Sequence, residues 1–275
     1  MSGVDRFREE YGPWAIVAGA GEGLGAAFAR ALAARGLDLL LIDRRADPVA
    51  ALAASLGRQH AVRAEAVVLD LASADVLERV ADAADGKAVG LLVCNAAASL
   101  LGEYLEHTTE EHREVVAVNC LAPALLVHHF GRLMRTRGRG GILLMSSLSA
   151  FQGSPYLAHY AATKAYALVL AEGLWDECRP YGVDVLACCA GATLTPGYLA
   201  TRPRERGRWE PPEMEPEAVV RAALAALGRR PHVIPGRANR WAAFLMQRVL
   251  SRVQAVSAMG RVGRGLRASA QPKGT

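Results

Sequence analysis

The feature that most limits how this chain can fold is the regular alternation of short, nearly unbroken apolar runs with longer helical stretches. Apolar runs that are continuous rather than alternating are typical of a parallel sheet that helices cover on both faces. The sequence therefore predicts an α/β fold built on a doubly wound, mostly parallel seven-stranded sheet. The predicted strands are WAIVAG, LDLLLID, AVRAEAVVLD, VGLLVCN, GGILLMSS, VDVLACCAG and HVIPG.

The chain is predicted to form one domain with a few appended features. Its 275 residues suit a single large α/β unit, which we assign to 1–258. One long irregular stretch, 194–216, is predicted to be a lid loop over a binding site. A helix is predicted at 238–258, and a basic, mobile tail at 259–275.

Basic residues are concentrated at the C-terminus. The net charge is +5, but residues 235–275 carry eight basic side chains and no acid, which leaves −3 for the remainder. Because nucleic-acid binding generally needs a basic face on the folded domain, no nucleic-acid partner is predicted.

The predicted helix at 238–258 is amphipathic. Trp241 and Leu245 belong to an apolar stripe, and Arg248 and Arg252 lie along another face. Two hypotheses remain open. We favour packing over the cleft or against a neighbouring subunit, and peripheral contact with a membrane surface is the alternative.

The cysteines and the N-terminal residues favour a cytoplasmic protein without a metal site. The five cysteines include no C-x-x-C pair, so neither a zinc site nor a disulfide framework is predicted. The start, MSGVDRFREEYG, has acids and no apolar run, so no signal peptide is predicted. The longest apolar stretches look too short to span a bilayer.

A glycine-rich turn follows the first predicted strand and opens a helix. Gly19, Gly21, Gly23 and Gly25 alternate there. Glycines let backbone N–H groups approach a pyrophosphate, and the helix N-terminus adds partial positive charge. The placement predicts a dinucleotide site.

The next strand ends in an acid that bears on the choice of dinucleotide. Asp43 is placed to accept hydrogen bonds from an adenosine ribose, and Glu22 adds a second negative charge. Two acids would repel a 2′-phosphate, which favours NAD. Arg44 and Arg45 could grip that phosphate, so NADP stays open as the alternative.

Tyr160 and Lys164 share one face of a predicted helix. Lys is rare in this chain, which has 32 Lys and Arg residues of which three are Lys. A nearby ammonium is expected to lower the pKa of a phenol, which makes it a usable proton donor and acceptor. A compact ammonium can also take part in a proton relay, which Arg cannot.

Taken in order, the motifs resemble those of the short-chain dehydrogenase/reductase family. They are AGAGEGLG, LDL, CNAAA, VNC, MSS, YAATK and AGATLT. The resemblance covers about Trp14 to Gly236 and implies a Rossmann-like NAD(P)-dependent oxidoreductase that acts on an alcohol or ketone. It also implies a homo-dimer or homo-tetramer. A non-catalytic nucleotide-binding protein is the competing class.

The resemblance assigns roles residue by residue. It implies a catalytic group of Asn119, Ser147, Tyr160 and Lys164. In addition to Tyr160 and Lys164, it implies a cofactor site formed by Gly19, Gly21, Glu22, Gly23, Leu24, Gly25, Asp43, Arg44, Asp70, Leu71, Asn95, Ala96, Ala97, Gly191, Thr193 and Thr195.

Asn119 allows two interpretations. Its side chain could satisfy a helix kink near Pro123, and it could hold a water that links Lys164 to solvent; the two are compatible, and we favour the second. The sequence departs from the family pattern at Ala18, Ala97 and Ala190, where Thr, Gly and Pro are usual. The first two departures put cofactor affinity in question more than the chemistry.

The predicted substrate is a lipophilic alcohol or ketone, either steroid-like or fatty-chain. The expected cleft is apolar. Alternating arginines in the lid could bind an anionic group, although a solvated charge run is favoured. The cleft residues are Leu194, Tyr198, Leu199 and Trp209, with Tyr156 and Leu157 opposite, and the arginines are Arg202, Arg204, Arg206 and Arg208.

Overall fold

A computed structural model describes residues 3–202 and 212–270 of the chain. Seven strands form one sheet: β1 (Trp14–Ala18), β2 (Asp38–Asp43), β3 (Ala64–Val68), β4 (Val89–Cys94), β5 (Gly140–Ser147), β6 (Val183–Ala190) and β7 (His232–Val233). The sheet order is β3-β2-β1-β4-β5-β6-β7, and all neighbouring strands are parallel. The predicted seven-stranded doubly wound sheet is confirmed.

Helices connect the strands and cover both faces of the sheet. They are α1 (Gly3–Tyr11), α2 (Gly23–Ala33), α3 (Ala46–His60), α4 (Val76–Ala83), α5 (Thr109–Val116), α6 (Ala122–Arg137), α7 (Ala158–Cys178), α8 (Pro196–Thr201), α9 (Pro216–Ala226), α10 (Arg237–Phe244) and α11 (Arg252–Ala270). A π-helical turn, Ala117–Leu121, joins α5 to α6 into one long helix.

Neighbouring residues of each strand point into different cores. In β2, Leu39 and Leu41 join the core that contains α2, α3 and α9, whereas Leu40 and Ile42 join the core that contains α4, α6 and α7. Both faces of every central strand are therefore buried, which explains the continuous apolar runs in the sequence.

The sheet order places a ligand site between β1 and β4. The chain runs outward from β1 to β3 and then returns to β4 on the other side of β1. In open α/β sheets, ligands bind at the carboxyl ends of the strands where the order reverses in this way.

By length and composition, the long helix Thr109–Arg137 is apolar enough to cross a membrane, contrary to the prediction from the apolar runs. Its inward side is part of the core, since Leu126, Phe130 and Met134 are buried. The capping box of Thr108 and Glu111 fixes where the helix begins. Its packing is that of a core helix of the domain.

The predicted boundaries at the C-terminus are wrong. The single helix over 238–258 is interrupted at Leu250, whose backbone is extended, and the predicted mobile tail is helical as far as Ala270. Tertiary packing stabilises this second helix: Gly260 and Gly263 allow α11 to pass close to Pro155. Residues 271–275 lie outside the described part.

The predicted lid at 194–216 is partly regular. The short helix α8 begins after Thr195, which caps it, and Met214 pairs with Thr193 in a β-bridge. Residues 203–211, which include the predicted cleft residue Trp209, lie outside the described part of the chain.

Candidate active site

The turn after β1 can be formed only by glycines at its key positions. We call residues 19–25 the glycine turn. Gly19 and Gly23 have φ values of +85° and +53°, which side chains rarely adopt. A Cβ on Gly25 would lie 1.8 Å from the carbonyl oxygen of Gly19. The turn therefore folds back on itself closely enough for a ligand to meet backbone rather than side chains.

The N-terminus of α2 is open toward this turn. Its N-cap residue, Glu22, makes no side-chain capping bond to the helix, and no acid lies in the first turn of α2. Uncapped N–H groups and the positive end of the helix dipole favour an anion. The chain's own backbone therefore fits the pyrophosphate of a dinucleotide.

Asp43 closes the turn from the side of β2. Its Oδ2 accepts a hydrogen bond from the Gly21 N–H at 2.8 Å, and its Oδ1 accepts one from the Arg45 N–H at 3.0 Å. The Arg45 guanidinium also donates to Glu22 at 2.7 Å. Arg44, which was predicted to contact the cofactor, is exposed and pairs with Glu114. Arg45 is therefore the arginine that lies beside the two acids.

The segment after β4 lies directly beneath the glycine turn. The Asn95 amide donates to the Gly19 carbonyl at 2.7 Å, and the Ala96 N–H donates to the Ala18 carbonyl at 2.8 Å. Ala97 follows and is exposed. These contacts hold Asn95 and Ala96 against the glycine turn, and their contact with a cofactor stays a prediction.

Asp70 and Leu71 follow β3, which β2 and β1 separate from β4. Asp70 accepts a hydrogen bond from the Ala72 N–H at 2.9 Å, and the Leu71 side chain is buried. The backbone of this turn is fixed at the carboxyl edge of the sheet, on the side of β1 that also carries Asp43.

Ser147 ends β5, and α7 places Tyr160 and Lys164 beside it. The Lys164 Nζ lies 5.5 Å from the centre of the Tyr160 ring. Lys164 is buried and donates a hydrogen bond to the Met145 carbonyl at 2.9 Å. The predicted phenol and ammonium thus lie together at the sheet edge that also carries the glycine turn.

The pKa of Tyr160 is raised rather than lowered as the sequence predicted. Burial of the phenol raises it, and a hydrogen bond with Ser147 acts in the opposite direction. Burial also lowers the pKa of Lys164 to about 8. The prediction of a lowered pKa included only the charge of Lys164. It did not include the desolvation of Tyr160 and Lys164.

The loop after β6 closes over the other end of the site. The Thr193 hydroxyl donates to the Gly191 carbonyl at 3.0 Å. Thr195 caps α8, and its side chain lies 2.9 Å from where a Cβ of Gly23 would be. A Cβ on Gly191 would meet the Asn239 amide at 2.7 Å. The three predicted residues therefore lie between the glycine turn and α10.

Comparison with known proteins identifies this arrangement. The sequence profile of the family described as short chain dehydrogenase matches residues 13–206. The chain belongs to the short-chain dehydrogenase family. It is accordingly an NAD(P)-binding oxidoreductase that acts on hydroxyl or keto groups, as the sequence predicted.

The similar curated proteins include dehydrogenases and a reductase. A 7β-hydroxysteroid dehydrogenase of Clostridium sardiniense is 33% identical over 85% of this chain and 89% of that protein. A very-long-chain 3-oxoacyl-CoA reductase of Bos taurus is 28% identical over 79% of this chain and 69% of that one.

Solved structures agree with this placement in the family. A structure from a study of 7β-hydroxysteroid dehydrogenase stereoselectivity superposes with a TM-score of 0.86 at 28% identity, covering 92% of this chain and 98% of that one. A short-chain dehydrogenase from Sphingobium yanoikuyae in complex with NADPH gives a TM-score of 0.73 at 30% identity, covering 87% and 97%.

Asn119 of this short-chain dehydrogenase connects two other segments through hydrogen bonds, a role that the sequence did not predict. It is buried in the π-helical turn, where its Nδ2 donates to the Ala98 carbonyl at 2.8 Å and to the Thr163 hydroxyl at 2.9 Å. Its Oδ1 accepts from the Ala98 N–H at 2.8 Å. The amide therefore does not satisfy a kink near Pro123, and it ties the segment after β4 to α7. A water path near Asn119 stays a prediction.

We expect Asn119→Leu to destabilise the enzyme. Both backbone polar groups of Ala98 would lose their partner, at about 1–3 kcal/mol for each group. Urea unfolding should show a lower midpoint than wild type. Thr136→Val, an exposed change on the same helix, is the control and should stay within about 0.5 kcal/mol. Equal midpoints for Asn119→Leu and wild type would contradict this role.

Other contacts near the site could not be predicted from the sequence. His112 and His159 share a hydrogen bond of 2.8 Å between their Nδ1 atoms, which links α5 to the residue before Tyr160. Arg202, predicted as a candidate anion ligand, makes a two-point ion pair with Glu213. Long-range pairs of this kind depend on the fold and cannot be inferred from spacing.

Proposed function

We propose that this protein is an NAD(H)-dependent oxidoreductase that interconverts a secondary alcohol and a ketone of a lipophilic, steroid-like compound. The observation that carries the proposal is the grouping of Ser147, Tyr160 and Lys164 at the sheet edge that bears the glycine turn. Tyr160 is the general acid and base in this proposal.

The raised pKa of Tyr160 suits proton donation. At neutral pH the phenol keeps its proton and can give it to a carbonyl oxygen as that oxygen gains negative charge. Ser147 donates a hydrogen bond to the same oxygen and stabilises the charge. The nicotinamide cofactor, when bound, supplies or accepts the hydride. In the oxidative direction, Tyr160 acts as the base, and the positive charge of Lys164 stabilises its phenolate form.

Two acids favour NAD over NADP. Glu22 belongs to the glycine turn and Asp43 lies beside it, so a 2′-phosphate there would be close to both charges. Arg45 is held by these same acids, so it is less available to bind a phosphate. The NADPH complex of the Sphingobium yanoikuyae relative keeps NADP as the alternative.

The substrate class rests on the relatives and on the residues around the cleft. The names of the relatives refer to a hydroxysteroid and to very long acyl chains. Tyr156 and Leu157 precede α7, and Leu194 and Tyr198 border the loop after β6. These side chains offer apolar surface, which suits a lipophilic substrate.

A substrate panel tests the proposal. The enzyme would be assayed at the nicotinamide absorbance band with hydroxysteroids, oxosteroids and fatty-chain ketones, each with NAD(H) and with NADP(H). We expect turnover of a steroid with NAD(H). Cofactor binding without turnover on any member would instead support a non-catalytic nucleotide-binding protein.

Cofactor affinity should depend on pH through Lys164. Its pKa of about 8 means that the amine is charged below that pH and neutral above it. If the bound cofactor requires the ammonium, each pH unit above this value should weaken binding by up to about tenfold. Titration by tryptophan fluorescence measures this dependence. Lys164→Met should remove it, and a flat profile for the wild type would contradict the assignment.

We also propose that α5–α6 and α7 form a homo-oligomer interface. Both helices carry exposed large apolar residues: Val116, Leu121, Leu133, Tyr166 and Val169. Val169→Glu should lower the molar mass measured by light scattering, because it places a charge within the interface. Leu105→Glu, at an exposed position outside these helices, is the control. An unchanged mass for Val169→Glu would argue against this interface.

A further inference from the structure

The segment from α10 to the first turn of α11 exposes an unusual amount of apolar surface. We call this surface the C-terminal apolar face. The exposed fractions of its members are 65% for Trp241, 51% for Phe244, 46% for Leu245, 60% for Val249 and 76% for Val253. Contiguous exposed apolar surface of this kind marks an interaction site more often than scattered single residues do.

The face is held in a fixed orientation. On the opposite side of α10, Asn239 and Ala243 are buried, and the Asn239 amide donates to the Pro235 carbonyl at 2.9 Å. At the other end, the Arg252 guanidinium donates to the Phe151 carbonyl at 2.8 Å. The apolar side chains therefore project outward because the rest of the segment is anchored to the domain.

Basic side chains border the apolar ones. Arg237, Arg240 and Arg248 are exposed on this segment, and the sequence has no acid after residue 235. Trp241 packs edge to face against Phe244. Arginines around an aromatic and aliphatic surface match an anionic lipid surface, in which the rings enter the interface and the guanidinium groups meet the head groups.

We propose that the C-terminal apolar face docks the enzyme on an anionic membrane surface. A second copy of the chain fits the face less well. A two-fold interface brings the same patch of both subunits together, so the arginines of each copy would face those of the other. The exposed surface of α5–α6 and α7 provides a site for self-association with apolar residues on both helices.

The vesicle test uses the full chain and does not depend on turnover. Co-sedimentation would compare phosphatidylcholine vesicles with vesicles that contain phosphatidylglycerol. We expect binding to the anionic vesicles, a fall in binding as salt rises, and a blue shift of tryptophan fluorescence that Trp241→Phe reduces.

Two double variants separate the contributions of the face. Trp241→Ser with Phe244→Ser should weaken binding to anionic vesicles at least about tenfold, and Arg240→Glu with Arg248→Glu should abolish the preference for anionic lipid. The control, Arg30→Glu with Arg58→Glu, makes the same charge change at exposed positions on α2 and α3. Circular dichroism and cofactor titration should match wild type for all three.

Two results would overturn the proposal. The first is a failure of the vesicle test: either wild type does not sediment with anionic vesicles, or both face variants sediment as well as wild type does. The second is that Trp241→Ser with Phe244→Ser lowers the molar mass in lipid-free light scattering, which would assign the face to a second copy. Neither result would affect the proposed oxidoreductase activity, which the substrate panel tests separately.

Discussion

Tyr160→Phe should reduce kcat by about 10²–10⁴-fold while cofactor affinity stays close to that of wild type. The substitution removes one hydroxyl, which hydrogen bonds with Ser147, and leaves the ring beside Lys164. The proton that the reaction needs would then have no donor next to the substrate oxygen. Steady-state rates and a fluorescence titration of NAD measure the two quantities separately.

Tyr166→Phe is the matched control. Tyr166 lies on the same helix, but it is exposed and belongs to the proposed subunit interface. Its loss of a hydroxyl should leave kcat within about twofold, since the Tyr166 hydroxyl is not part of the proposed catalytic group. If Tyr160→Phe kept wild-type turnover, Tyr160 would not be the general acid and base.

Gly25→Ala should give the second-largest effect, in this case on cofactor binding. The added methyl would lie 1.8 Å from the Gly19 carbonyl oxygen and 2.8 Å from the Asn95 amide nitrogen, so the backbone of the glycine turn must move. Overpacking of this kind costs about 1–3 kcal/mol in the fold. We expect NAD binding to weaken by about 100-fold, equivalent to about 2.7 kcal/mol.

Gly173→Ala is the control for this experiment. Gly173 lies in α7, and a Cβ there would meet no heavy atom within 4 Å apart from the neighbouring backbone of its own helix. This change should leave NAD affinity unchanged and should stabilise the helix slightly, because alanine has the higher helix propensity. Wild-type NAD affinity in Gly25→Ala would mean that the turn does not hold the pyrophosphate.

The parts of the fold that depend on local pattern could be predicted from the sequence. Each strand that is buried on both faces is an apolar run, so the sheet was predictable. The glycine turn was predictable too, because a cluster of glycines that follows a strand and opens a helix indicates a tight turn. In the structure, Gly19 and Gly25 are the residues at which this turn folds back on itself. Spacing also placed Tyr160 and Lys164 on one helix face, since residues four apart lie together.

Features that depend on distant partners could not be predicted. The extended backbone at Leu250 splits the C-terminal helix, and α11 persists because its glycines pack on Pro155, which is far away in sequence. The bonds from Asn119 to Ala98 and Thr163 likewise join three separate segments. The direction of the pKa shift of Tyr160 depends on burial, which a motif does not specify.

The close packing of α11 on Pro155 has a consequence for engineering this enzyme. Arg267 pairs with Glu103 and Glu106 and lies 5.5 Å from the ring of Tyr156, a predicted cleft residue, so the last helix contacts the loops that follow β4 and β5. Affinity tags are therefore better fused ahead of Gly3 than after Ala270. Exchanging the last helix between homologues offers a route to altered substrate preference that leaves the hydride-transfer chemistry in place.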